Sequence, residues 1–154
     1  MTKVVMASVL VLVLGPGPAY AAESECLMKG YKLEDLATIL RGEGYGTVEL
    51  VGDDRIRFKA EGSTFLLLLY GDGDLQLYFG LSGPRVGADD INEWNRTKRL
   101  ARAYIDTEKD PVIEADLLAN AGLNQAIVTE FVGTFVKTLV PAYRQFIGER
   151  RRAE

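Results

Sequence analysis

Histidine is absent from the chain, and cysteine occurs once, as Cys26. Without an imidazole there is no base to take a proton from serine or cysteine, so Ser–His and Cys–His nucleophiles are excluded. Zinc loses its usual nitrogen ligands too, and one thiolate with carboxylates makes a poor tetrahedral site. A lone cysteine cannot close an intramolecular disulfide; Cys26 is a sheltered thiol, an intermolecular bridge or a reactive group. Positive charge is not in excess either. The formal net charge is −4, so a broad basic surface for nucleic acid is not expected. Long apolar runs are also lacking: the longest, Val4–Leu14, holds about 11 residues against the roughly 20 that a membrane helix needs.

That apolar run has another meaning. Lys3 precedes it, Gly15-Pro16-Gly17-Pro18 breaks it, and Ala19-Tyr20-Ala21 follows with the small-x-small pattern of a cleavage site. Residues 1–21 read as a secretory signal peptide cut after Ala21. The mature chain is then expected in the periplasm or outside the cell, without a transmembrane span. Glu23-Ser24-Glu25 before Cys26 rules out a lipoprotein signal. Residues 22–31 read as an irregular segment, residues 32–148 as one domain, and residues 149–154, with Arg150-Arg151-Arg152, as a basic frayed tail. A domain of this size can bury a core without covalent staples.

Leu33, Leu36, Ala37 and Leu40 recur at helical spacing, which predicts a helix over Leu33–Arg41, ended by Gly42 and Gly44. Four strands follow. Thr47–Val51 is the first. In the second, Ile56, Phe58 and Ala60 alternate with Arg55, Arg57 and Lys59, as in a strand wet on one face. Phe65–Tyr70 is apolar on both faces, and Leu75–Gly80 returns after Gly71-Asp72-Gly73-Asp74, which suggests a type I′ turn. Asp89 or Asp90 is expected to cap a short helix with Ile91 and Trp94 on its inner side. Leu100–Ile105 and Val112–Leu117 read as an antiparallel pair joined by Thr107-Glu108-Lys109-Asp110. A long helix is expected over Asn124–Phe146, with an Ile127, Phe131, Phe135, Leu139 ladder beside Val128, Val132 and Val136. Pro141 should kink it or end its regular part. The fold class is α+β: an antiparallel sheet, made of a four-strand meander and a C-terminal hairpin, packed by three helices.

Carboxylates are the only acid–base groups left for catalysis. Asp72 and Asp74 share one turn; Asp106, Glu108 and Asp110 share another, and all read as solvated turn residues. Asp72-Gly73-Asp74 is a poor calcium loop, because Gln76 and Tyr78 take ligand positions and no closing glutamate follows. No cofactor is expected.

Several segments together resemble the YbjN family of bacterial proteins. They are Gly44-Tyr45, Leu75-Gln76, Asn92-Glu93-Trp94-Asn95-Arg96, Ala101-Arg102-Ala103-Tyr104-Ile105-Asp106 and Asp110-Pro111-Val112-Ile113-Glu114-Ala115-Asp116, then Gly122 and the apolar helix. The resemblance covers Leu33–Phe146. It implies a fold like that of the small type III secretion chaperones, a role as sensory transduction regulator, and a polypeptide-binding module that is often a homodimer. It brings no catalytic residue. Asn92, Trp94, Asn95, Arg96, Tyr104 and Asp106 are the family markers, expected to serve structure more than ligand binding. The expectation is an exported, non-enzymatic module with an unknown polypeptide partner. The alternative is a small-molecule or lipid carrier with a pocket between the sheet and the C-terminal helix; a carboxylate-dependent hydrolase is the remote third. An exported chain departs from a cytoplasmic secretion chaperone.

Overall fold

A computed structural model describes residues 27–151. The signal segment, its cleavage site, Cys26 and the last three residues lie outside the described part. Six strands form one antiparallel sheet: β1 (Gly46–Val51), β2 (Arg55–Ala60), β3 (Ser63–Leu69), β4 (Leu75–Gly80), β5 (Arg102–Ile105) and β6 (Pro111–Leu117). The helices are α1 (Leu33–Gly42), α2 (Ala88–Thr97) and a C-terminal rod. The rod consists of α3 (Gln125–Thr134), a π-helical turn (Phe135–Leu139) and α4 (Val140–Arg151). The α+β class stands.

The sheet order is β1-β2-β3-β4-β6-β5. The second hairpin therefore joins the meander instead of standing beside it, with β6 inserted next to β4 and Tyr78 opposite Glu114. Period-2 alternation explains the placement. Ile113 and Ala115 share the face of Phe79 and Leu77, so β6 extends the apolar face without a break. One face carries Ile56, Phe58, Phe65, Leu67, Leu77, Phe79 and Ile113, all buried, against Leu36, Leu40, Val132, Phe135 and Tyr143 from the helices. Phe58 and Phe65 stack at 5.3 Å, and the Phe135 ring meets Phe65 edge-on. The other face holds Arg57, Lys59, Thr64 and Arg102, all exposed.

The local chemistry departs from the expected pattern in several places. At α2, the N-cap is Gly87. Asp90 is three residues in and reaches back to accept from the Gly87 N–H (3.1 Å), the second half of a capping box. The β3–β4 turn is not type I′, which needs positive φ at two successive residues; only Gly73 is left-handed, at φ 92°. The Gly73 N–H donates to the Tyr70 carbonyl and the Tyr70 N–H to Asp74, giving a three-residue loop. The β5–β6 loop repeats this design with Lys109 at φ 70°.

The C-terminal rod does not stop at Phe146 but runs to Arg151. Pro141 offers no N–H to residue 137, and the turn before it widens: the Val140 N–H bonds the Phe135 carbonyl, five residues back. Regular α geometry is thus interrupted while the rod continues. The tail expected from residue 149 is still helix there. Arg150 pairs with Glu93 (2.7 Å) and Asp90 (3.3 Å) and lies 4.3 Å over the Phe146 ring, which locks the rod to α2. Strand β5 begins at Arg102, not Leu100, whose φ of 70° is not that of a strand.

Candidate functional site

An exposed sheet edge offers unpaired backbone groups to any extended chain, so each edge must be guarded or used. Strand β1 is guarded by irregularity. Its register shifts between Gly46 and Glu49, and Thr47 has φ 48°. Strand β5 is guarded by a side chain. The Asn95 amide donates to the Ala103 carbonyl (3.0 Å) and accepts from the Ala103 N–H (2.8 Å), taking the place of a seventh strand. The third edge is part of β6. The β5–β6 ladder ends at Arg102–Glu114, whereas the β4–β6 ladder continues through Ala115, Asp116 and Leu117. Among the described residues, Ala115–Leu117 therefore has a strand on one side only.

Beside this free edge lies an open groove of about 290 Å³ between β6 and the C-terminal rod. Ile127, Phe131 and Leu139 supply its apolar wall, each half-buried, with Phe135 at the base. Leu100, 70% exposed, stands at its mouth. The rod offers this wall because its apolar face is wider than the sheet needs. Val128, Val132, Val136 and Phe135 are buried, and the rest of the neighbouring ladder, Ile127, Phe131 and Leu139, is only half-buried. The π-helical turn lies against the groove and sets Phe135 and Leu139 into its wall.

None of the family-marker residues lines the groove. Trp94 is fully buried, edge-on to Tyr143 at 5.0 Å and to Phe146 at 5.4 Å, and its indole N–H has no partner among the described residues. Asn92 and Arg96 are exposed on α2. The Tyr104 hydroxyl donates to Glu114 Oε1 at 2.6 Å, while Arg102 donates to Oε2 from two nitrogens. Glu114 is 5% exposed, and these bonds are what make its burial tolerable. Burial, reinforced by the bond to Glu114, drives the Tyr104 pKa well above the usual tyrosine range. Asp106 accepts from the Glu108 and Asp110 N–H groups, both at 2.9 Å, and so shapes its loop.

The other candidate carboxylates do comparable work. Asp72 accepts from the Asp74 N–H, and Asp74 from the Ala119 N–H at 2.6 Å, tying the loop to the end of β6. Asp110 accepts from Gly83 at 3.4 Å. Asp106, Glu108 and Asp110 border a second depression, on the open sheet face over Leu66 and Tyr78. Burial, then these acids and Glu114, raises the Tyr78 pKa. Of the groove residues, Asp116 ends a segment that carries the family resemblance, while Leu100 and Glu130 belong to no motif. Only the surplus apolar ladder on the last helix signals them.

The model of a family named YbjN, described as "Putative bacterial sensory transduction regulator", matches residues 32–148. No curated protein matches the chain.

Proposed function

The chain belongs to the YbjN family, and from that premise we propose that it is an exported, non-enzymatic binding module whose partner is a polypeptide. The family's regulator description is compatible with a binding role. The groove beside the free edge of β6 carries the reading. It joins main-chain groups that can pair with a peptide to an apolar wall that can hold its side chains, the two components of strand addition. Two observations weigh against the carrier alternative. The groove is open, and its 290 Å³ falls just short of the range of about 300–1,000 Å³ for small-molecule pockets. The hydrolase reading has little support, because Asp72, Asp74, Asp106 and Asp110 each accept a loop N–H.

A photo-crosslinking residue at Thr134, on the groove wall, tests the proposal in producing cells, with the same residue at Lys59 on the open face as control. The expected result is a polypeptide adduct at Thr134, absent at Lys59 and identified by mass spectrometry. A small mass retained in native mass spectrometry, with no polypeptide adduct, would favour the carrier and sink the proposal.

A further inference from the structure

We infer that the chain carries a second binding site, for an apolar α-amino acid in its zwitterionic form, where the β2–β3 turn meets the C-terminal rod. A depression of about 340 Å³ lies there. It shares no lining residue with the groove, so the inference goes beyond the polypeptide reading and does not rest on it. Its volume stands at the small end of the range of about 300–1,000 Å³ for ligand pockets. That suits a single amino acid better than a long acyl chain or a nucleotide.

The first support is a fixed cation without a counter-ion. Arg144 lines the depression. Its Nη2 donates to the Ser63 hydroxyl at 2.6 Å, and its guanidinium carbon lies 5.0 Å from the centre of the Phe79 ring. Ser63 is only 8% exposed, so this bond anchors the guanidinium to the buried start of β3. Arg55, Arg57, Arg102 and Arg150 each pair with a carboxylate; Arg144 pairs with none among the described residues. Its remaining N–H groups keep the planar fork that receives a carboxylate.

The second support is an anion on the same depression, equally without a counter-ion. Glu61 lines it, is exposed, and makes no ion pair among the described residues, with Arg144 or any other cation. Glutamate is also an unusual choice at this place. Glu61 (φ 49°) and Gly62 (φ 71°) are successive left-handed residues between the paired Ala60 and Ser63. That is type I′ geometry, in which asparagine, aspartate or glycine normally comes first. A role for the Glu61 carboxylate at the rim accounts for the strained choice. The rest of the surface is apolar, made by Phe65, Val136, Val140 and Pro141. Val136 belongs to the π-helical turn, an irregularity frequent at functional sites. A zwitterion answers every part of this surface: its carboxylate meets Arg144, its ammonium meets Glu61, and its aliphatic side chain lies on the apolar wall. A ligand with one charge would leave the other side chain unmatched.

The test is isothermal titration of the full chain with free leucine and its analogues, up to millimolar concentration. Leucine should bind. Leucinamide lacks the carboxylate; isocaproate and N-acetylleucine lack the ammonium, the latter standing for a polypeptide C-terminus. Each of the three should bind about tenfold more weakly or worse. The protein is the same in these comparisons, so a folding defect cannot imitate the result. Arg144→Gln and Glu61→Gln should each lower leucine affinity about tenfold, and Glu61→Gln, at an exposed turn, should do so with an unchanged urea midpoint. Absence of leucine binding, equal binding of leucine and any of the three analogues, or full affinity in either variant would each overturn the inference.

Discussion

Trp94 fills a fully buried site, yet its indole N–H finds no partner among the described residues. Its contribution is therefore ring area and edge contacts to Tyr143 and Phe146, not a hydrogen bond. Trp94→Phe should cost only about 1–2 kcal/mol, since it gives up no bond, whereas Trp94→Ala should cost about 3–5 kcal/mol through the cavity it opens. Urea denaturation of both variants checks this; equal losses would mean that the N–H is bonded after all. Two tyrosines set an alkaline limit. Tyr104 and Tyr143 have pKa values raised well above the ordinary 10.0, chiefly by burial. Their folded forms hold the proton when the unfolded chain has released it. Stability from this source is thus complete below about pH 10 and declines as pH rises toward the folded values. Urea midpoints between pH 8 and 11.5 should fall above pH 10, with a shallower fall in Tyr104→Phe. That variant leaves Glu114 Oε2 on Arg102. A flat profile in the parent protein would refute the assignment.

At the scale of elements, the two three-residue hairpin loops make a controlled pair. Gly73 and Lys109 occupy the same left-handed position. A Cβ on Gly73 would meet the Lys29 carbonyl at 3.1 Å and Ala119 Cβ at 3.4 Å. Gly73→Ala should cost about 2 kcal/mol or more, while Lys109→Gly should stay within about 1 kcal/mol of the parent, because relief of strain offsets glycine's chain entropy. Urea midpoints again decide, and a silent Gly73→Ala would show that the loop relaxes freely. The Asn95 amide guards β5 by two bonds to Ala103. Asn95→Ala should lower stability by about 1–2 kcal/mol and expose a strand edge to self-association. Light scattering at increasing concentration would detect the association. Asn95→Asp should not restore the guard, since a carboxylate cannot donate to the Ala103 carbonyl.

At the scale of the whole molecule, α1, α2 and the rod cover one face of the sheet and leave the other to solvent. Arg150 fastens the end of the rod to α2 through Asp90 and Glu93. Among the described residues no helix is long and apolar enough to cross a membrane. The proposed export predicts a mature chain beginning at Ala22. Intact-mass analysis of protein from the periplasm or medium should find this species, and a full-length mass confined to the cytoplasm would end the proposal.

Much of the architecture is legible without coordinates, because it rests on periodicity. The 3.6-residue stripe Leu33-Leu36-Ala37-Leu40 and the alternation of Ile56, Phe58 and Ala60 state locally which faces must be buried. The marker motif is legible in part for a related reason: Asn95 acts on nearby Ala103 of β5, whereas the partners of Trp94, Tyr143 and Phe146, lie far along the chain in the rod. The groove is not legible in the same way. It depends on β6 joining β4, on Leu100 leaving β5 one residue before Asp116 could be paired, and on the rod arriving with apolar surface to spare. Each is a meeting of segments far apart in the chain, and burial is settled only when those segments pack. Sequence alone determined the element types, the inner faces and the absence of histidine chemistry. Tertiary structure alone decided which strand edge stayed open, because an edge is free or guarded only by what packs beside it.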